Sequence, residues 1–172
     1  MTEVAASDLV LGPLLAEGGE GRVFEVVSCP AEAQAGLVKG GGGATEKLVF
    51  KQFRRPVPLA DMAAVARVPG SLVASDPGRG HRVLSCTAWP VAAVQGPRAG
   101  EAIGALMPRA PQRFWLRHRD GPLRLATLSY LTGDPDRIAL AYGVTVPPPG
   151  SPARVALVYA LCRAVEAWAA GD

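Results

Sequence analysis

The chain has 172 residues, 49% of them apolar, enough for one domain of ordinary size, or one and a fraction, with a real core. A net charge of +3 is spread thinly over scattered Lys and Arg with few aromatics between them, which excludes a nucleic-acid-binding stripe. Cys29, Cys86 and Cys162 are odd in number, far apart and without C-x-x-C spacing, and His81 and His118 stand alone, which argues against disulfide and zinc frameworks.

Residues 1–8 carry two acids and no basic segment leading into an apolar run, and no apolar stretch approaches a membrane span, so a soluble cytoplasmic chain without a membrane partner is expected. A short apolar run at 9–15 is followed by Gly18, Gly19 and Gly21 and by the alternating run 23–27, which together predict a hairpin with a glycine-rich turn. Residues 28–46, with Pro30, Gly36 and four successive glycines at 40–43, predict a mobile loop that packs nothing. A third strand is predicted over 47–53, with Leu48 and Phe50 on one face and Val49, Lys51 and Phe53 on the other. Leu59, Met62, Ala63 and Ala66 have helical spacing, and Pro69-Gly70 is expected to end that helix.

Residues 91–94 and 102–107 then read as a second hairpin around the turn-rich stretch 95–100. The order of elements predicts an α+β arrangement, a five-stranded antiparallel sheet with one helix laid against it. Beyond Pro108 the pattern changes to helical segments broken at Asp134-Pro135 and at 147–150. The last helix has Ser151 as cap and Pro152 at its first position, with Val155, Val158, Leu161, Cys162, Val165 and Trp168 along one stripe. That apolar stripe is expected to be covered by the 114–146 region, by a second copy of the chain or by another protein.

Three segments carry chemistry. Gly18-Gly19-Glu20-Gly21-Arg22-Val23 puts glycines where backbone N–H groups could approach phosphate oxygens without a Cβ in the way. Leu48-Val49-Phe50-Lys51 puts a lysine in the middle of an otherwise apolar strand. Residues 104–111 run from a strand into Met107-Pro108-Arg109-Ala110.

In this order the segments match most of the protein-kinase patterns G-x-G-x-x-G-x-V and V-A-I-K, with Ala16 standing at the first glycine. The chain resembles an atypical bacterial protein-kinase-like family in which a G-G-E-G loop, a strand ending in K-x-F or K-x-Y and an L-M-P-R hinge recur; the matching residues are 18–21, Lys51-Gln52-Phe53 and 106–109. Thr87-Ala88-Trp89-Pro90 and the closing helix extend the likeness less specifically. The resemblance implies a kinase-like small lobe at 1–107, a hinge at 108–111 and a partial, mainly helical large-lobe segment at 112–172. It implies ATP as ligand, with Gly18, Gly19, Glu20, Gly21, Val23, Lys51, Met107, Pro108 and Ala110 around it. Lys51 would meet the α- and β-phosphates, Met107 would be the gatekeeper, and Ala110 would donate its N–H to adenine while a hinge carbonyl accepts.

Two departures from the family pattern stand out. No Glu lies between Pro56 and Pro69 to pair with Lys51, which leaves Asp61, Glu17, Glu20 or no partner at all. No H-R-D loop followed by Asn and D-F-G occurs, and His118-Arg119-Asp120 spells the tripeptide in the wrong place. No catalytic residue and no metal site is therefore expected here, and magnesium would belong only to a complete protein. The expectation is the nucleotide-binding lobe of a protein-kinase-like protein, truncated before its catalytic loop, whose partner is the remaining large lobe or another protein. The alternative is a pseudokinase-type interaction module without phosphoryl transfer, and a plain structural domain is a third reading.

Overall fold

The computed structural model describes residues 3–35, 47–78, 80, 88–112, 115–119, 121, 123–125, 133–148 and 150–169. They fall into two compact units, Met1–Arg109 and Ala110–Asp172.

The first unit holds β1 (Glu3–Ala5), β2 (Val10–Gly18), β3 (Gly21–Ser28), α1 (Ala31–Ala35), β4 (Leu48–Pro58), α2 (Leu59–Ser75), β5 (Ala92–Gln95) and β6 (Glu101–Pro108). These strands form one sheet in the order β1-β5-β6-β4-β3-β2. All neighbouring pairs are antiparallel except β1 and β5, which run parallel with Val4 opposite Val94. The sheet is thus mixed and six-stranded, where five antiparallel strands were expected. Three residues carry too little periodicity to announce a strand, and β1 is held by a partner ninety residues away along the chain.

Alternation along the strands sorts the core into two layers. On one face Leu48, Phe50, Ala92, Val94 and Leu106 pack together with Val4, and Phe24 stacks on Phe50 at 6.4 Å between ring centroids. On the other face α2 lays Met62 and Ala63 against Ala93, Ala102 and Ala105. The sheet's buried side of this contact consists of alanines. Gly104 serves the first layer, because a Cβ there would run into the Phe50 ring and the Lys51 carbonyl oxygen.

Three local features depart from expectation. The segment after Pro30 forms α1, and Ala33 is buried in the core beside Leu48 and Phe50; residues 36–46, including the four glycines, lie outside the described residues. Helix α2 does not stop at Pro69 but runs through it to Ser75. Proline has no N–H for the carbonyl four residues back, here that of Val65. The indole Nε1–H of Trp89 donates to that oxygen at 2.9 Å and so replaces the missing helix bond. Finally, β4 extends past Phe53 through a bulge: the five steps from Gln52 to Val57 face the two from Gly104 to Ala102. Pro56, which cannot donate to a ladder, sits within it.

The second unit contains β7 (Trp115–Arg117) and β8 (Leu123–Leu125), paired antiparallel, then α3 (Pro135–Tyr142) and α4 (Pro152–Ala169). The strand pair corrects the expectation of helices and turns alone; runs of three residues are too short to show a period. Asp134-Pro135 is a helix start: the Asp134 carboxylate accepts from the N–H of Asp136 at 2.9 Å, and Gly143 closes α3 with φ 66°. Ser151 caps α4 as expected, its hydroxyl accepting from the Arg154 N–H at 3.4 Å. His118 packs edge-on to Tyr142.

Val155, Val158 and Val165 are 61%, 58% and 63% exposed on α4. The side chain of Trp168 lies outside the description. Cys29 and Cys162 carry free thiols, while Cys86 is not among the described residues. No described helix is long and apolar enough to cross a membrane.

Candidate functional site

Lys51 lies in the central row of the sheet, opposite Val23 on β3 and Ala105 on β6. Ala105 and Phe53 pack toward α2, so alternation puts the half-buried Lys51 on the same, helix-side face. Among the described residues no carboxylate lies within ion-pair distance of it. The buried residues of α2 are Met62, Ala63, Ala66 and Pro69, with Leu59 partly buried beside them, while Asp61 is exposed. Asp61 and Glu17, two of the candidate partners for the lysine, are therefore committed elsewhere or turned away, and Glu20 forms no ion pair among the described residues.

The glycine-rich segment forms the tip of the β2–β3 hairpin, with Gly18 opposite Gly21 and Gly19-Glu20 as the turn. Its glycines differ in kind. A Cβ at Gly21 would collide with the Gln52 carbonyl oxygen of β4, so glycine is required there by close strand approach. At Gly18 and Gly19 a Cβ would meet nothing within 4 Å, and neither has positive φ. The fold itself does not require glycine at these two positions.

The tip is braced by a residue with no counterpart in the expected set. Arg54, at the start of the β4 bulge, donates its Nε–H to the Gly18 carbonyl at 3.1 Å and its backbone N–H to the Glu20 carbonyl at 3.2 Å. Its guanidinium also reaches Glu17 at 3.6 Å, and Glu17 accepts from Arg22 at 3.1 Å. Nothing in the spacing of Arg54-Arg55-Pro56 distinguishes this arginine from a solvated one. The β3–β4 register, which sets Phe53 opposite Gly21, brings the next residue to the hairpin tip.

At the other end of the helix-side face Met107 stands opposite Val49, half-buried against the α2 layer, and Pro108 ends β6 opposite Leu48. The next residue, Arg109, donates its backbone N–H to the Lys47 carbonyl at 2.8 Å and its guanidinium to the Glu25 carboxylate at 3.1 Å; Lys47 adds a 3.5 Å contact to the same carboxylate. Both members of the Glu25–Arg109 pair are mostly buried, and they tie the end of β6 to β3. Ala110 opens the second unit, where its carbonyl accepts from Trp115 Nε1 at 2.8 Å.

The arrangement in the first unit is a cation with no ion-pair partner among the described residues, beside a glycine turn with open space at two of its glycines, which suits an anionic ligand. Among the described residues no group of three or more His, Cys, Asp or Glu side chains could hold a metal ion. No family model, curated protein or solved structure matches the chain.

Proposed function

We propose that the first unit is a nucleotide-binding lobe of protein-kinase-like type, with ATP as its ligand and with the hairpin tip and Lys51 around the phosphates. The observation that carries this is the pairing of Lys51 with Val23 in the row beneath Gly21, on the helix-side face and with no acidic partner among the described residues. A half-buried ammonium with no counter-ion among the described residues is poised for an anion, and a triphosphate supplies one that a glycine turn can also contact. The order of the five long strands, β5-β6-β4-β3-β2, is the order that a small lobe with its helix between the third and fourth of them would have. Open space at Gly18 and Gly19 adds to the case, since their lack of side chains then serves a ligand.

Met107 and Pro108, at the end of β6, would meet the base. The lack of an acid on the sheet side of α2 favours a second reading, a pseudokinase-type module in which the lobe serves protein interaction without phosphoryl transfer. Titration calorimetry with ATP tests the first reading: Lys51→Ala should weaken binding by about 1.5 to 3 kcal/mol through loss of a charge-assisted contact. Equal affinity in wild type and variant would remove Lys51 from the site.

A further inference from the structure

We infer that Arg54 is a positioning residue for the phosphate chain, acting through the peptide groups of the glycine turn; the inference rests on the nucleotide reading above. All peptide bonds described are trans, so each carbonyl points opposite to the N–H of the following residue. Arg54 holds two carbonyls of the turn, that of Gly18 through Nε and that of Glu20 through its own backbone N–H. The N–H groups of Gly19 and Gly21 therefore point away from Arg54.

Phe53 packs toward α2, so the neighbouring Arg54 side chain leaves the strand on the opposite face. Arg22, the neighbour of Val23, pairs with Gln52 on that same face. Glu17 anchors both guanidinium groups there, at 3.1 and 3.6 Å. The cluster draws the Gly18 carbonyl outward and turns the Gly19 N–H to the side that Lys51 occupies. A phosphate oxygen there would meet a backbone donor from above and an ammonium from the strand. Arg54 itself touches no ligand in this account.

The test compares ATP with adenosine, which keeps the base and sugar and lacks the phosphates, on wild type, Lys51→Ala and Arg54→Ala. Arg54→Ala should weaken ATP by about three- to tenfold, as expected for one exposed charge-assisted bond, and leave adenosine unchanged. The 15N-detected amide of Gly19 should shift on ATP but not on adenosine in wild type, and lose that response in Arg54→Ala. Equal ATP affinity in a folded Arg54→Ala chain, or a parallel loss for ATP and adenosine, would overturn the role. If Arg54→Ala does not fold, Arg54→Lys keeps the backbone N–H and lacks the fork that spans Gly18 and Glu17, and an unchanged ATP-to-adenosine ratio in it overturns the role equally. Wild type that binds no ATP would remove the nucleotide reading itself, whereas ATP binding weakened by Lys51→Ala and untouched by the Arg54 variants would remove this inference alone.

Discussion

Three glycines of one hairpin answer to different constraints. Gly21 sits so close to the Gln52 carbonyl that any side chain must move β3 off β4, and Gly21→Ala should cost about 1 to 3 kcal/mol of stability in urea denaturation. Gly18→Ala and Gly19→Ala meet open space and should change stability by no more than about 0.5 kcal/mol, yet weaken ATP binding by placing a methyl group where a phosphate would approach. Native stability together with unchanged ATP affinity in both variants would mean that these glycines are not there for a ligand. At this scale the glycines and Lys51 were legible because each breaks a local pattern: a turn between strands, a charge inside an apolar run. Arg54 was not, because an arginine at a strand end looks the same in sequence whether it is solvated or holds a carbonyl on a neighbouring hairpin.

Among the elements, α2 shows how a sequence rule and a structure can both hold. Proline removes one helix bond, as the sequence predicts, but the orphaned Val65 carbonyl is taken by Trp89, and the helix continues. A double-mutant cycle reads this directly. Trp89→Phe should cost about 1 kcal/mol in the wild-type chain and less in a Pro69→Ala background, where the restored N–H can serve Val65 instead. The same cost in both backgrounds would show that the indole stabilises by packing alone. The small-residue layer under α2 has its own test: Ala105→Leu, opposite Lys51, should overfill the helix contact and cost about 1 to 3 kcal/mol.

Strands β2 to β6 and the two faces of β4 follow from alternation and turn residues, which are local signals. The parallel β1, the core-facing α1 and the β7–β8 pair do not, since each is too short for a period and is specified by a distant contact. The indole that lets α2 pass Pro69 is likewise 24 residues away from the carbonyl it satisfies.

For the whole molecule, two compact units and an exposed apolar helix face set the questions. The 172 residues contain no H-R-D loop with a following Asn and no D-F-G segment, the segments that in a protein-kinase-like domain would hold magnesium and orient an acceptor hydroxyl. This chain is expected to bind ATP without transferring its γ-phosphoryl group; magnesium-dependent turnover that disappears in Lys51→Ala would contradict that. The Val155, Val158 and Val165 face of α4 is solvent-exposed in the single chain. Replacing Val158 and Val165 by lysine should therefore leave the melting temperature unchanged, and any concentration-dependent association seen by sedimentation should fall.

The central claim, that the face under the glycine hairpin takes the phosphates of a nucleotide, is tested most directly by mapping backbone amide shifts while ATP is titrated into 15N-labelled protein. The account predicts that the largest shifts fall on residues 18–23 and on Lys51 with its neighbours Phe50 and Gln52, and that those at 18–21 are absent with adenosine. Shifts confined to other surfaces, or none at millimolar ATP, would contradict it.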